Sequence, residues 1–398
     1  MFLSVLFLIG ASMGLWRTFN ALRPVRPGRF GPLWLPALIT GELAIHNIAW
    51  QAVLTALFVW AGALHHWAGA LALILTIVSW IGLGALFIRG FLSRRQVDGV
   101  VSEATGNTMS GRERPSLSGL IRAKPRLPNG VELLTNISYG PDARHELDLY
   151  MPQQPLNAPV VIQIHGGSWM RGKRERHARP LMHRLASEGW ICAAISYRLS
   201  PAATFPDQVV DAKRAVAWIK DNIAEYGGDP GFVVTTGGSA GAHLASMVAL
   251  TPGDPALQPG FEQADTAVQA CVGFYGVYSL TNGDGTRSRW PFIDRYVMKA
   301  TPLEAPDRYR LGSPIHRVHA DAPPFFVLHG THDSLVRTDE TQRFVDALRA
   351  VSRKPVVHAE VPGGTHGFDY FYSPRAFYST IGVSHFLTHL RERHLAAD

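Results

Sequence analysis

The stretch Val233–His243, VVTTGGSAGAH, places Gly237-Gly238-Ser239-Ala240-Gly241 between a short β-branched run and a run rich in Ala, Leu and Met. A G-x-S-x-G turn from strand to helix presents a serine hydroxyl at the top of a sheet, where geometry and a nearby base activate an otherwise inert alcohol. Phe232–Thr236 is expected to be the strand and Ala240–Leu250 the helix. Glycines beside the serine permit backbone angles and close approaches that a Cβ forbids. A second match, Gly10-Ala11-Ser12-Met13-Gly14, lies inside an apolar run without strand, turn and helix around it, and is set aside. Ser239 is the candidate nucleophile.

A serine needs a base, and the base needs an orienting carboxylate. Phe325–Leu328 has the character of a buried strand and runs into His329-Gly330-Thr331-His332-Asp333. A carboxylate just past a strand end lies on the rim where α/β folds place chemistry. Val356–Val361 is a further strand, and His366 follows it on the Gly-rich loop Pro362–Phe368. His332 adjoins Asp333 in sequence, where the two side chains are poorly placed to face each other, and His358 falls mid-strand. The order Ser239…Asp333…His366 is that of an α/β-hydrolase triad.

The tetrahedral oxyanion needs donors aimed at it. Val160–Ile164 is a strand ending in His165-Gly166-Gly167-Ser168-Trp169, and two successive glycines let backbone N–H groups point outward together. Gly166, Gly167 and Ala240 are the expected oxyanion donors. Trp169, Tyr275, Trp290 and Phe368 are candidate substrate-pocket residues.

With these pieces in order, the chain resembles the esterase and lipase branch of the α/β-hydrolases. It looks most like hormone-sensitive-lipase-like carboxylesterases and the neighbouring bacterial feruloyl and acetyl esterases. The resemblance is carried by HGGSWMRGK at His165–Lys173, SYRLSP at Ser196–Pro201, YGGDPGFVVTTGGSAGAHLA at Tyr226–Ala245, GTHDSLV at Gly330–Val336 and GGTHGF at Gly363–Phe368. It covers residues 131–398 and implies that His165 shapes the oxyanion loop without acting as base. Ala242 stands where the family often has a further glycine, which would tighten helix packing behind the elbow.

The first hundred residues are different in kind. Met1–Trp16, Ile45–Leu64 and Trp67–Ile88 are three apolar segments, the first short, and the third is uncharged and long enough to cross hydrocarbon. Met1–Trp16 lacks the basic start and cleavage site of a signal peptide. Arg17, Arg23, Arg26 and Arg29 follow the first segment, and Arg89, Arg94 and Arg95 follow the third, whereas His65 and His66 occupy the intervening turn. The positive-inside rule puts both arginine clusters, and hence the catalytic part, in the cytoplasm. Glu42 and His46, four apart, are expected on one helical face near the membrane interface.

The expected organisation is a membrane module over residues 1–92, a polar linker over 93–130 and an α/β-hydrolase domain over 131–398, with a doubly wound, mostly parallel sheet. A chain beginning near Val131 is expected to fold alone and hydrolyse short esters. Val209, Ala212, Val216, Ile219 and Ile223 make one helical stripe, and Ser373-Pro374 opens the last helix. Tyr278, Trp290, Phe292 and Tyr296 stud a long insert, where acyl pocket and plain aromatic packing are equal readings.

Lys and Arg number 38 against 31 Asp and Glu, a formal charge of +7. Part of that excess flanks the apolar segments and no nucleic-acid motif accompanies it, so anionic lipid is the simpler partner. Cys192 and Cys271 lie in strand-like runs and are expected as free buried thiols; no metal-ligand spacing and no cofactor are implied. The function expected is membrane-anchored serine carboxylesterase or lipase. An amidase such as a formamidase, or a peptidase, on the same scaffold is the nearest alternative, and a silent membrane scaffold is a more distant one. Acyl length and oligomeric state are left open.

Overall fold

The computed structural model describes residues 1–23, 33–109, 113–281 and 290–397. Arg26 and Arg29 therefore lie outside the described residues. In chain order the helices are α1 (Phe2–Leu22), α2 (Trp34–Glu42), α3 (Ala44–Trp60), α4 (Trp67–Thr105), α5 (Leu117–Arg122), α6 (Arg179–Ser187), α7 (Asp207–Asn222), α8 (Ala240–Leu250), α9 (Pro306–Leu311), α10 (Thr338–Val351) and α11 (Pro374–Leu395). The strands are β1 (Val131–Ser138), β2 (Glu146–Pro152), β3 (Ala158–Ile164), β4 (Ile191–Ile195), β5 (Gly228–Gly238), β6 (Ala270–Phe274), β7 (Phe325–Gly330) and β8 (Val356–Val361).

The strands form one sheet in the order β1-β2-β4-β3-β5-β6-β7-β8. β1 and β2 are antiparallel to their neighbours and β4 through β8 run parallel, which is the α/β-hydrolase arrangement. The parallel strands are nearly continuous runs of Val, Ile, Ala and Phe because helices cover both faces. One core, with Val160, Ile162, Leu244 and Phe344, lies under α7, α8 and α10. The other, with Val161, Phe326, Phe386 and Leu387, lies under α6 and α11.

Two helices, α1 and α4, are long and apolar enough to cross a membrane, and α2 with α3 passes the same test as a pair bent by 87°. The burial pattern of α4 is inverted relative to a water-soluble helix. Small residues, Ala68, Ala72, Thr76 and Ser79, face the other helices, while Ile74, Ile81 and Ile88 are exposed. Small residues let helix backbones approach in lipid, where large apolar side chains gain nothing by hiding. Thr18 and Ser79 hydrogen-bond across α1 and α4 at 2.9 Å.

Two expectations change here. The polar stretch from Ser93 does not begin as a linker, because α4 continues as helix to Thr105. Its second half carries a buried stripe, Gly90, Ser93, Val97 and Val101, at steps of three and four. Gly90 abuts Pro374, and a Cβ on Gly382 of α11 would stand 2.1 Å from Val97 Cγ1. Val97, Val101 and Met109 join the core of the α11 face, so a cut at Val131 would remove part of that core.

Glu42 and His46 also do not share a face, because the chain bends at Leu43 between α2 and α3. Asn47 Nδ2 donates to the carbonyls of Leu43 at 2.9 Å and Ile39 at 3.3 Å, a second donor to each beside the backbone amides of Asn47 and Leu43, and so ties the two sides of the bend together. Glu42 is buried against the catalytic domain, and His46 Nε2 bonds the carbonyl of Ile121 at 2.7 Å.

Candidate active site

Strand β5 turns into α8 at Ser239, whose φ of 59° and ψ of −122° lie in a region that L-residues rarely adopt. Glycine sterics hold it there. A Cβ on Gly237 would lie 2.4 Å from the Gly241 carbonyl carbon, and one on Gly241 would lie 2.0 Å from the Ile164 oxygen. Ala242 fits behind the elbow because Gly273 and Gly276 face it, Gly276 so closely that a Cβ there would meet Ala242 Cβ at 2.9 Å.

Asp333 follows β7 and is wholly buried at its carboxylate. It accepts from His366 Nδ1 at 2.7 Å through Oδ2, and from the amides of Leu335 at 2.8 Å and Val336 at 2.9 Å through Oδ1. Burial alone would raise this carboxyl, but His366 and His329 hold it below the usual carboxylate range. The bond to Asp333 puts the proton on Nδ1 of His366 and leaves Nε2 as acceptor. Ser239 and His366 line one cavity of about 1040 Å³.

The rival histidines lie elsewhere. His332 Nδ1 bonds the Ala21 carbonyl of α1 at 3.2 Å. His358 is mid-strand in β8, opposite Val327. His329 was not among the residues the sequence singled out. Its Nε2 lies 3.1 Å from Asp333 Oδ2 and 3.0 Å from the Val336 carbonyl, and its Nδ1 lies 2.6 Å from Thr341 Oγ1. Facing two acceptors, Nε2 carries the proton, and Nδ1 accepts from the Thr341 hydroxyl. His329 thus steadies the carboxylate that His366 also bonds.

At the end of β3 the glycine loop presses against the elbow, where a Cβ on Gly166 would stand 2.6 Å from the Gly238 oxygen. The Gly166 amide, expected as an oxyanion donor, is turned instead to His177 Nδ1 at 3.4 Å. Gly167 and Ala240 both line the cavity, and Ala240 at the first turn of α8 has a free helix-terminal amide to offer. His165 is buried, stacks on Tyr197 at 4.4 Å and bonds the Gly166 carbonyl at 2.8 Å. Burial pushes its imidazole down to about 3, so it is a neutral prop for the loop. His177, in the same cavity and likewise pushed down by burial, to about 4, carried no distinguishing sequence signal.

The four expected pocket residues separate. Trp290 lines the cavity and stacks on Phe292, which also lines it. Trp169 borders the cavity but is only 2% exposed, because its indole N–H donates to His243 Nδ1 at 3.2 Å. Tyr275 lies 4.7 Å from the His366 ring, with its hydroxyl donating to buried Asp369. Phe368 is turned into the core by the left-handed Gly367 and packs on Tyr275 and Phe274. Neither Tyr275 nor Phe368 lines the cavity. Of the other insert aromatics, Tyr278 stacks on Phe344 in the core at 4.2 Å. Cys192 and Cys271 are free and buried, and burial pushes the Cys271 thiol up to about 12.

Comparison with known proteins fits this geometry. A family profile, BD-FAE, matches residues 147–348. The probable carboxylic ester hydrolase LipM of Mycobacterium tuberculosis is 41% identical over 96% of this chain and 92% of its own length, so the likeness extends into the N-terminal helices. Esterase LipQ of the same bacterium is 45% identical over 66% of this chain and 64% of its own. A truncated carbohydrate esterase from gut microbiota superposes with a TM-score of 0.55 at 25% identity, over 65% of this chain and 99% of that one. Apo esterase 2 of Thermogutta terrifontis gives 0.53 at 25% identity, over 65% and 94%.

Proposed function

We propose a mechanism and a setting for a chain that belongs to the BD-FAE family of α/β-hydrolases and is a carboxylesterase: ester cleavage through an acyl-enzyme on Ser239, at a membrane face. His366 Nε2 takes the Ser239 proton as Oγ attacks the ester carbonyl carbon. Asp333 keeps the imidazole in that tautomer and stabilises the imidazolium. The amides of Gly167 and Ala240 receive the oxyanion. The tetrahedral intermediate collapses with loss of the alcohol, which takes its proton from His366. Water then attacks the acyl carbonyl, gives its proton to His366, and the acid leaves with Ser239 restored.

The observation that carries this reading is the 2.7 Å bond from His366 Nδ1 to buried Asp333, with His366 and the strained Ser239 on one cavity. A fluorophosphonate probe tests it: the wild-type chain is labelled, Ser239→Ala is not, and Ser12→Ala is. Labelling that survives in Ser239→Ala contradicts the assignment.

α1, the α2–α3 pair and α4 would anchor the enzyme. The Ala21 carbonyl at the end of α1 and the second half of α4 both meet the catalytic domain, which supports placing that domain on the arginine side, the cytoplasm. Protease added outside intact cells is then expected to spare residues 106–129, and cleavage there contradicts the orientation.

A further inference from the structure

Helix α2 lies on the loop that carries the base, and three of its side chains at four-residue steps make the contact. Trp34 meets the His366 ring edge-on at 6.0 Å. Leu38 Cδ2 packs beside Gly367, where a Cβ would stand at ordinary contact distance, 3.4 Å from it. Glu42 accepts from Ser373 Oγ at 2.6 Å and pairs with Arg375 at 3.4 Å, with both charged side chains buried. Arg375 in turn donates to the Pro362 carbonyl at 2.8 Å and, from α4, to the Leu86 carbonyl at 2.9 Å. Residues four apart share one helix face, so α2 is a fixed part of the catalytic rim.

Its neighbour Leu35, a step round the helix and 46% exposed, lines the substrate cavity together with Trp34. Two of the cavity walls therefore have different origins. Trp290 and Phe292 come from the catalytic domain, whereas Trp34 and Leu35 come from the apolar N-terminal helices. If α3 crosses the bilayer, its 87° bend from α2 lays α2 along the membrane face, as an interfacial apolar helix lies. The cavity then opens beside lipid.

Resting on the Ser239 esterase reading, we propose that Trp34 and Leu35 are specificity-determining residues, and that the substrate is an ester bearing a long apolar chain, drawn laterally from the bilayer along α2. Trp34, Leu35, Trp290 and Phe292 offer the chain apolar surface in a cavity that Arg171, Lys173 and Arg176 also line, so the polar end of the ester keeps to the cationic and catalytic groups. A short, water-soluble ester needs the catalytic groups that α2 helps to hold, but gains nothing from the apolar wall that Trp34 and Leu35 add to the cavity. The membrane helices then act as the acyl-selecting wall of the site as well as an anchor.

The test uses the full chain in phosphatidylcholine vesicles, comparing kcat/KM for p-nitrophenyl palmitate in the vesicles with that for soluble p-nitrophenyl acetate. Trp34→Ala and Leu35→Asp are each expected to lower the palmitate-to-acetate ratio by about tenfold or more. Trp34→Phe should recover most of the loss. Trp60→Ala, 87% exposed at the far end of α3, should leave the ratio alone. Leu35→Asp carries the test if Trp34→Ala does not accumulate, since its site is half-exposed. A ratio within about twofold of wild type in the α2 variants, or an equal fall in Trp60→Ala, overturns the proposal. Failure of the wild-type chain to turn over either ester overturns the Ser239 reading and this one with it. Ester turnover with an unmoved ratio overturns this one alone.

Discussion

The two loops that meet at the cavity are held in opposite ways. The elbow at Ser239 is fixed by backbone packed around its own glycines: a Cβ on Gly237 would meet Gly241 at 2.4 Å, and one on Gly241 would meet the Ile164 oxygen of β3 at 2.0 Å. The loop of His366 is fixed from without: by Asp333 after another strand, by Tyr275 behind the ring, and by Trp34, Leu38 and Glu42 of a helix over three hundred residues away. A nucleophile held by local backbone sterics is written in five consecutive residues. A candidate base held by distant side chains is written all along the chain, and it joins the apolar N-terminal helices to the cavity.

The sharpest way to test the local half is Ser239→Ala, expected to cost four to six orders of magnitude or so in kcat with the fold intact. Asp333→Asn should cost about four orders, because it stabilises the wrong His366 tautomer; His366→Ala combined with it should be little worse than the worse single change. If His332→Ala proved the more damaging change, the base would be misassigned.

The distant half breaks more gently. Arg375→Met leaves Glu42 buried and uncompensated, and should destabilise the chain by about 3–5 kcal/mol. Adding Glu42→Gln should recover part of the loss, and a double variant no better than the single would remove the ion pair from the account. Thermal unfolding in detergent reads both.

A smaller effect concerns Asp369, the acceptor of the Tyr275 hydroxyl. Burial pushes it up to about 6 from an ordinary value near 3.8. The folded chain binds this proton more tightly than the unfolded one. Its stabilising contribution is therefore complete below pH 3.8 and is lost as pH rises through about 6, to a total of about 3 kcal/mol. Asp333 has the opposite sign, since its depressed carboxyl stabilises above the ordinary value and ceases to as pH falls. Between pH 4 and 7, Asp369→Asn should flatten the fall in unfolding midpoint; an unchanged slope would show that Asp369 does not set it.

What the sequence disclosed follows the same division. The elbow, the strand-end Asp333 and the loop of His366 could be read because each is a local backbone event between periodic segments. His329 could not, since its place against Asp333 depends on how the chain turns after β7. The face of α4 that docks on α11 was hidden because the polar run from Ser93 reads as a linker, although Ser93, Val97 and Val101 continue the helical spacing that begins at Gly90. Tyr275 and Phe368 belong to the core and not to the expected pocket, because positive φ at Tyr275 and Gly367 turns the chain there and buries both rings. Trp34, Leu38 and Glu42 are four apart in plain view, and nothing short of the tertiary structure names Gly367 and Arg375 as their partners.

The central claim is that Ser239 forms the acyl-enzyme. The full-length chain is mixed with p-nitrophenyl butyrate in detergent, quenched with acid during turnover, and digested for mass spectrometry. The account predicts a butyryl group on the peptide containing Ser239, lost in Ser239→Ala. A butyryl group on any other residue during turnover, with Ser239 unmodified, would contradict it.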